Sequence, residues 1–89
     1  MTLHPNKKAQ LEAEIRNSVS LARQYSRFAR EALRMNARYE RQNLWRYAMD
    51  EWTNALKYRR EAKSWLYFAR QRKRELEYQL ELHEAQNAA

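Results

Sequence analysis

Seven arginines in the N-terminal half of the chain recur at the spacing of one helix face. They follow one another at intervals of 7, 4, 3, 4, 4 and 3 residues, as Arg16, Arg23, Arg27, Arg30, Arg34, Arg38 and Arg41. At about 100° per residue, these positions fall within about 80° of one another and extend over roughly 37 Å of helix. Like charges three or four residues apart destabilise a helix, so this arginine row is not explained by helix stability.

The arginine row predicts a docking strip for nucleic-acid phosphates or for an acidic protein surface. A guanidinium group binds phosphate or carboxylate through two parallel hydrogen bonds, which a lysine cannot do. The alternative interpretation is a solvated face of a basic chain, and the absence of aromatic residues for base stacking on the row favours it. The first interpretation makes the row a binding site, whereas the second gives it no partner.

A second basic cluster, "RQRKR", lies in the C-terminal half. Its basic members are Arg70, Arg72, Lys73 and Arg74. Four glutamates and no lysine or arginine follow in residues 75–89. The cluster either contacts a partner or forms pairs with the nearby glutamates along an exposed helix. With a net charge of +7, the basic body and its acidic end indicate an acidic or polyanionic partner, including nucleic acid.

Groups that could perform catalysis or bind a metal are sparse. The chain has no cysteine and two histidines, one near each end. No group of histidines and carboxylates has the spacing of a metal site. Ser18 and Ser20 have no base nearby in sequence to activate them. We therefore expect a protein that is not an enzyme and that binds neither a cofactor nor a metal.

The composition requires helices throughout. There is no glycine and a single proline, Pro5, while the abundant residues are good helix formers. The sequence has no apolar run long enough to span a membrane and no apolar leader. We therefore expect one all-α domain over residues 1–89, located in the cytoplasm.

Three helices are predicted from the apolar periodicity. The first runs from about Asn6 to Gln42 and ends at Asn43, a residue that tolerates the left-handed conformation. The second runs from about Leu44 to Arg59. The third runs from about Trp65 to Ala85, with Ser64 as its N-cap. Short joins predict a long antiparallel helical hairpin with a third packed helix.

The apolar positions on these helices predict the core. On the first helix, Leu11, Leu21, Tyr25, Phe28, Ala29, Ala32, Met35 and Tyr39 share one face. On the second, the shared side holds Leu44, Trp45, Ala48, Trp52, Ala55 and Leu56, and on the third it holds Trp65, Phe68, Ala69, Leu76 and Leu80. We expect the tryptophans, above all Trp52, in the core. The first helix exceeds the second in length, which leaves Leu11, Ile15 and Leu21 without an intrachain partner and predicts a homodimer.

The central segment resembles two kinds of helical protein. Ala48, Trp52 and Ala55 have the small-and-aromatic spacing of a single tetratricopeptide hairpin. "YERQNLWRYAMDEWTNAL", residues 39–56, resembles the motif of the ANR family, negative regulators of AraC-type activators, and of the related PerC-like regulators of enteric bacteria. The matching residues are Glu40, Arg41, Trp45, Ala48, Trp52 and Ala55, with Trp65 downstream. Asn43 stands where those families have glycine, and the terminal cysteine that they often carry is missing.

This resemblance implies a small non-enzymatic transcriptional regulator. ANR-type regulators act by binding the activator protein directly, so the expected partner is a protein such as an AraC-type activator. Two alternatives remain open. One is a protein that binds nucleic acid directly through the arginine row, and the other is a structural helical subunit of a phage or plasmid assembly. A helix-turn-helix is not identifiable, because the usual glycine-containing turn is missing.

Overall fold

The computed structural model describes residues 5–88, which form two long helices in an extended hairpin. Helix α1 spans Pro5–Arg41 and helix α2 spans Trp45–Asn87. The molecule measures 70 × 15 × 12 Å, so it is essentially one helix pair in cross-section. The predicted all-α class and the long hairpin are confirmed. No helix within residues 5–88 has the length and apolar character needed to cross a membrane.

The turn between the helices is a left-handed helix cap built on Asn43. This residue has a φ of 59°, the conformation predicted for it at the end of the first helix. The Asn43 amide donates to the Glu40 carbonyl at 3.0 Å, and the Leu44 amide donates to the Tyr39 carbonyl at 2.9 Å. This pair of bonds is the Schellman arrangement, which satisfies the last carbonyls of a helix and reverses the chain in few residues. Asparagine can replace glycine here because its short polar side chain tolerates positive φ.

The core of the hairpin is a ladder of small residues. From residue 48 to residue 69, every seventh residue of α2 is a buried alanine: Ala48, Ala55, Ala62 and Ala69. The facing positions of α1 that are buried are also mostly small: Leu11, Ser18, Ala22, Ala29 and Ala32. A seven-residue repeat keeps one seam of two supercoiled helices in contact along their whole length. Small side chains on that seam let the two backbones approach closely.

One hydrogen bond across the seam reflects this close approach. Asn36 occupies the α1 position seven residues beyond Ala29, and its side-chain amide donates to the Ala48 carbonyl at 2.6 Å. So short a side chain reaches a backbone carbonyl of the other helix only when the helices lie near each other. A polar residue at one seam position also fixes the register of a helix pair, since sliding would leave it unpaired.

The predicted third helix is the C-terminal half of α2. The expected join over residues 60–64 is helical, because it contains neither glycine nor proline and Ala62 continues the alanine ladder through it. Ser64 is therefore an interior residue rather than an N-cap. Ala48 and Ala55, whose spacing suggested a tetratricopeptide hairpin, instead belong to a repeat that runs along a single helix of 43 residues.

The prediction that the tryptophans of residues 45–52 lie in the core is wrong. Trp45 is 60% exposed and Trp52 is 49% exposed, while the alanines beside them are buried. Trp65 is half-buried. The cause is how far each apolar pattern extends along α2. Only the alanine position stays apolar in four successive seven-residue repeats, so the alanines define the seam. Leu44, Leu56 and Phe28 are also exposed rather than core residues.

The open end of the hairpin is closed by one leucine and a set of ion pairs. Leu11 is fully buried. Arg72 of α2 lies with its Nε atom 3.1 Å from Glu14 of α1 and with an Nη atom 3.0 Å from Glu75, and Lys7 lies 3.7 Å from Glu75. Because α2 is longer than α1, it covers the segment that was expected to need a second copy. Leu11 therefore needs no second copy for its burial, while Ile15 and Leu21 are half-buried, and the homodimer stays a prediction.

Candidate protein-binding surfaces

Four large apolar side chains are exposed together on α2 near the turn. Trp45, Met49, Trp52 and Leu56 recur at intervals of 4, 3 and 4 residues, and we call them the tryptophan stripe. Met49 is the most exposed of them, at 71%. At about 100° per residue they lie within about 60° of one another, roughly a quarter turn from the alanine ladder. Contiguous exposed apolar side chains of this size mark interaction sites more often than isolated ones do.

The stripe borders the seam between the helices. Trp45, Met49 and Trp52 line an open depression of about 320 Å³ together with Asn36 and Glu40 of α1. Glu40 is the one acidic residue of this lining. The apolar rings and the thioether of the stripe therefore form one wall of a furrow whose floor is the small residue Ala48.

On the same side of the hairpin lies a second depression between the helices, which we call the basic groove. Trp45, Trp52, Arg59 and Leu66 are seven residues apart, so they share one side of α2. The basic groove has a volume of about 290 Å³. Its lining combines apolar and basic side chains from both helices: Ser26, Ala29, Arg30, Leu33, Arg59, Ala62, Lys63 and Leu66. Cations thus stand on both walls, Arg30 on α1 and Arg59 and Lys63 on α2, around an apolar floor.

The opposite side of the hairpin has the reverse character. Its groove, of about 260 Å³, is lined by two glutamates, Glu31 and Glu51, among apolar and amide side chains. Aromatic rings from both helices meet there: Tyr25 and Tyr58 are stacked with centroids 6.2 Å apart, and Phe28 and Tyr58 are tilted with centroids 5.5 Å apart. These aromatic residues contact one another, whereas those of the tryptophan stripe face solvent. The two sides of the hairpin therefore differ in charge and in how far their apolar side chains are covered.

The arginine row lies on the outer face of α1, and Arg30, at its edge, also lines the basic groove beside α2. All seven of its members are exposed. Within residues 5–88, one of them has a hydrogen bond: Arg30 donates from Nε to the Ser26 carbonyl at 3.4 Å. The side chains of the others form no ion pair or hydrogen bond in that part of the chain. The structure thus leaves the guanidinium groups of the row accessible to an anionic ligand.

The second basic cluster divides into two groups. Arg70, Lys73 and Arg74 are exposed, while Arg72 is half-buried. Besides its contacts with Glu14 and Glu75, the Arg72 guanidinium lies 4.7 Å from the centre of the Phe68 ring, in the position of a cation–π contact. Arg72 therefore joins the two helices, and three of the four predicted cluster residues are free to contact a partner.

The residues of the regulator-like motif fall into a buried group and an exposed group. Ala48 and Ala55 are buried in the ladder, whereas Glu40, Arg41, Trp45 and Trp52 are exposed around the turn. Trp65 packs on the opposite side, with its ring 6.0 Å from that of Phe68. Because Trp45 and Trp52 were expected in the core, the tryptophan stripe was not predicted. The sequence does contain a sign that this face is exposed: the apolar positions 45, 49, 52 and 56 are followed by Arg59 and Lys63 at the next equivalent positions.

Comparisons with known proteins give no match. No family model matches the chain, and neither a curated protein nor a solved structure matches it significantly. Among residues 5–88, no three histidine, cysteine or carboxylate side chains come together as a metal site.

Proposed function

We propose that this chain is a non-enzymatic regulator of transcription that acts by binding a protein partner through the tryptophan stripe. The observation that supports this function is the exposure of Trp45, Met49 and Trp52 side by side on a rigid helix pair. Tryptophan is the residue type most enriched among the side chains that dominate binding energy at protein interfaces. A site on helices that are held by a continuous seam needs little ordering when it binds, so more of the contact energy is available for affinity.

The regulatory role rests on the resemblance to the ANR and PerC-like regulators. Trp45 matches the aromatic position of that motif and Trp52 its tryptophan position, and both are exposed here. The proposed partner is therefore a transcription activator, and the more specific proposal is an activator of the AraC type. The protein would bind it as a preformed helical hairpin, with α2 as the contacting element.

Substituting both tryptophans of the stripe should remove partner binding without unfolding the hairpin. We expect Trp45→Ala with Trp52→Ala to weaken binding by at least about 30-fold, the effect of losing about 2 kcal/mol at an interface hot spot. Their rings lie beside the seam rather than in it, so the hairpin should stay folded, with a melting temperature lowered by the loss of the half-buried part of Trp52. The measurement is co-purification of the partner from nuclease-treated host lysate, together with a reporter for the regulated promoter and a circular dichroism melt.

The matched control is Tyr78→Ala. Tyr78 is 59% exposed, as exposed as Trp45, but lies near the far end of α2. It should keep both the partner and the regulatory effect. Retention of both by the double tryptophan variant would contradict the proposal.

A second function, direct binding of nucleic acid, is favoured by the accessibility of the arginine row. Seven unpaired or nearly unpaired guanidinium groups along one helix face suit a phosphate backbone. This binding would be insensitive to base sequence, because phosphate contacts carry no sequence information and the row offers no side chain for stacking.

Neutralising part of the arginine row tests the second function. If the row binds phosphates, Arg27→Gln, Arg30→Gln and Arg34→Gln together should lower the slope of log affinity against log salt concentration by about 2–3 units, close to one for each lost contact. The measurement is a titration of duplex DNA and of RNA over a series of salt concentrations. The helix should survive, because removing like-charged neighbours relieves repulsion.

The control for this experiment is the same loss of charge on α2, as Arg46→Gln, Lys57→Gln and Arg60→Gln. All three of these residues are exposed. Equal effects of the two triple variants would mean that net charge alone attracts the nucleic acid. In that case the row is not a binding site.

A further inference from the structure

We infer that the partner element is an acidic amphipathic helix that lies along the tryptophan stripe and the basic groove. This inference rests on the proposed function, since it specifies what the stripe binds. A third helix placed there would cover the open side of the seam, with its apolar residues over Trp52 and Leu56 and its acidic residues between Arg30 and Lys63. The hairpin would then be completed to a three-helix bundle by a helix from another protein.

The size of the stripe requires the partner to extend beyond it. Taking about 200 Å² for a large side chain, the four members of the stripe expose on the order of 500 Å². A stable interface buries about 800 Å² on each partner. The missing area lies in the direction of the basic groove, which shares the side of α2 that carries Trp45 and Trp52. A helix of about 20 residues, roughly 30 Å long, covers both.

Apart from Glu40 beside the stripe, the charged residues that line this side are basic, so they select an acidic partner. Arg30, Arg59 and Lys63 stand on the two walls of the basic groove, and none of them has an ion-pair partner among residues 5–88. Over residues 59–74 of α2, the positions within about 60° of the centre of the stripe hold no acidic residue. Complementary charge of this kind determines partner choice and association rate. The groove on the other side carries Glu31 and Glu51, so an acidic helix would be repelled there.

A second copy of the chain fits this surface less well. Two copies that paired stripe against stripe would bring their basic grooves together in a parallel arrangement, and in an antiparallel one they would bury little beyond the stripes, because the turn lies next to Trp45. The acidic segment of residues 75–88 from another copy would match the basic groove in charge, and two antiparallel α2 helices could make that contact reciprocally. Trp45 and Met49 would then lie beyond the end of the other copy's α2 at Asn87 and stay uncovered.

Helical peptides with the same apolar face and different flanking charge test the inference. Three peptides of about 20 residues would carry leucines on one face and glutamate, glutamine or lysine on both flanks. The full-length protein with Trp65→Phe retains only Trp45 and Trp52, so its fluorescence reports on the stripe. We expect the glutamate peptide to bind at least about tenfold more tightly than the glutamine peptide, and this advantage should shrink as salt is added.

Reversing the charge of the groove should reverse the preference. Arg59→Glu with Lys63→Glu should bind the lysine peptide more tightly than the glutamate peptide. The matched control, Arg46→Glu with Lys57→Glu, makes the same charge change at exposed positions outside the groove and should keep the wild-type order. Both pairs lie on the surface, and circular dichroism checks that each variant is folded.

Several outcomes would overturn the inference. Equal affinities for the three peptides would leave an apolar stripe with no charge preference, and inversion by the control pair would assign the effect to net charge. Tighter binding to phosphatidylglycerol vesicles or to single-stranded oligonucleotides than to the glutamate peptide would make the occupant a lipid or a nucleic acid. Self-association that disappears in Glu77→Gln with Glu81→Gln would make it a second copy.

The proposed function and this inference fail in different ways. If no peptide binds but the tryptophan variants lose the cellular partner, the acidic helix is wrong and protein binding stands. If no peptide binds and the tryptophan variants also keep full regulatory activity, both are wrong.

Discussion

Introducing leucine at two positions of the alanine ladder is expected to destabilise the hairpin by about 2–6 kcal/mol. The variant is Ala55→Leu with Ala62→Leu, and both positions are almost completely buried. Adding methylene groups to a close-packed interior costs about 1–3 kcal/mol at each site, because side chains or backbones must shift to make room. The neighbouring ladder residues remain alanines, so they hold the helices at a spacing that leaves no room for the added volume.

A urea titration followed by circular dichroism measures this effect. A domain of this size has a free energy of unfolding on the order of 5–10 kcal/mol, so the loss should be visible as a large fall in the midpoint. Ala37→Leu with Ala85→Leu makes the same substitutions at exposed alanines and should leave the midpoint nearly unchanged, since leucine and alanine are both good helix formers. A midpoint that rises in the ladder variant would show that the helices are far enough apart to accept leucine.

Truncating Leu11, the one large side chain that is fully buried among residues 5–88, should also have a large effect. Leu11→Ala is expected to lower the free energy of unfolding by about 2–5 kcal/mol, the sum of lost burial and of the cavity left behind. Leu11 is 0% exposed and closes the end of the hairpin near the ion pairs of Arg72 with Glu14 and Glu75. Leu11 is the fully buried apolar residue of this end, where Ile15, Leu76 and Leu80 are half-buried.

Leu56→Ala provides the comparison for Leu11→Ala. Leu56 is 38% exposed within the tryptophan stripe, so its truncation should cost much less in the same urea titration. If the two variants unfolded at the same midpoint, Leu11 would not hold the two helices together. Hydrogen exchange of the α1 amides near Leu11 separates global unfolding from fraying of this end, because fraying would accelerate exchange there alone.

The tryptophans show how far periodicity can mislead about burial. A helical wheel places Trp45, Trp52 and Ala48 on one broad apolar side, and large aromatic residues are the usual choice for a core. The wheel treats each helix alone, so it does not show which edge of that side meets the other helix. The position of the seam is set by the small apolar residues that recur from Ala48 to Ala69. Ala62 belongs to this repeat, but it falls in the segment that was predicted to join two helices, so the repeat was not recognised.

The sequence by itself determined that the chain is helical, that it reverses at Asn43 and that an arginine row lies on the outer face of α1. Each of these follows from interactions between residues close in sequence: the absence of glycine, the left-handed tolerance of asparagine and the 3.6-residue period. Only the tertiary structure decided which apolar residues are buried. The burial of Ala55 and the exposure of Trp52 result from the close approach of two helices over some 40 residues, and that approach is a property of the pair and not of either helix alone.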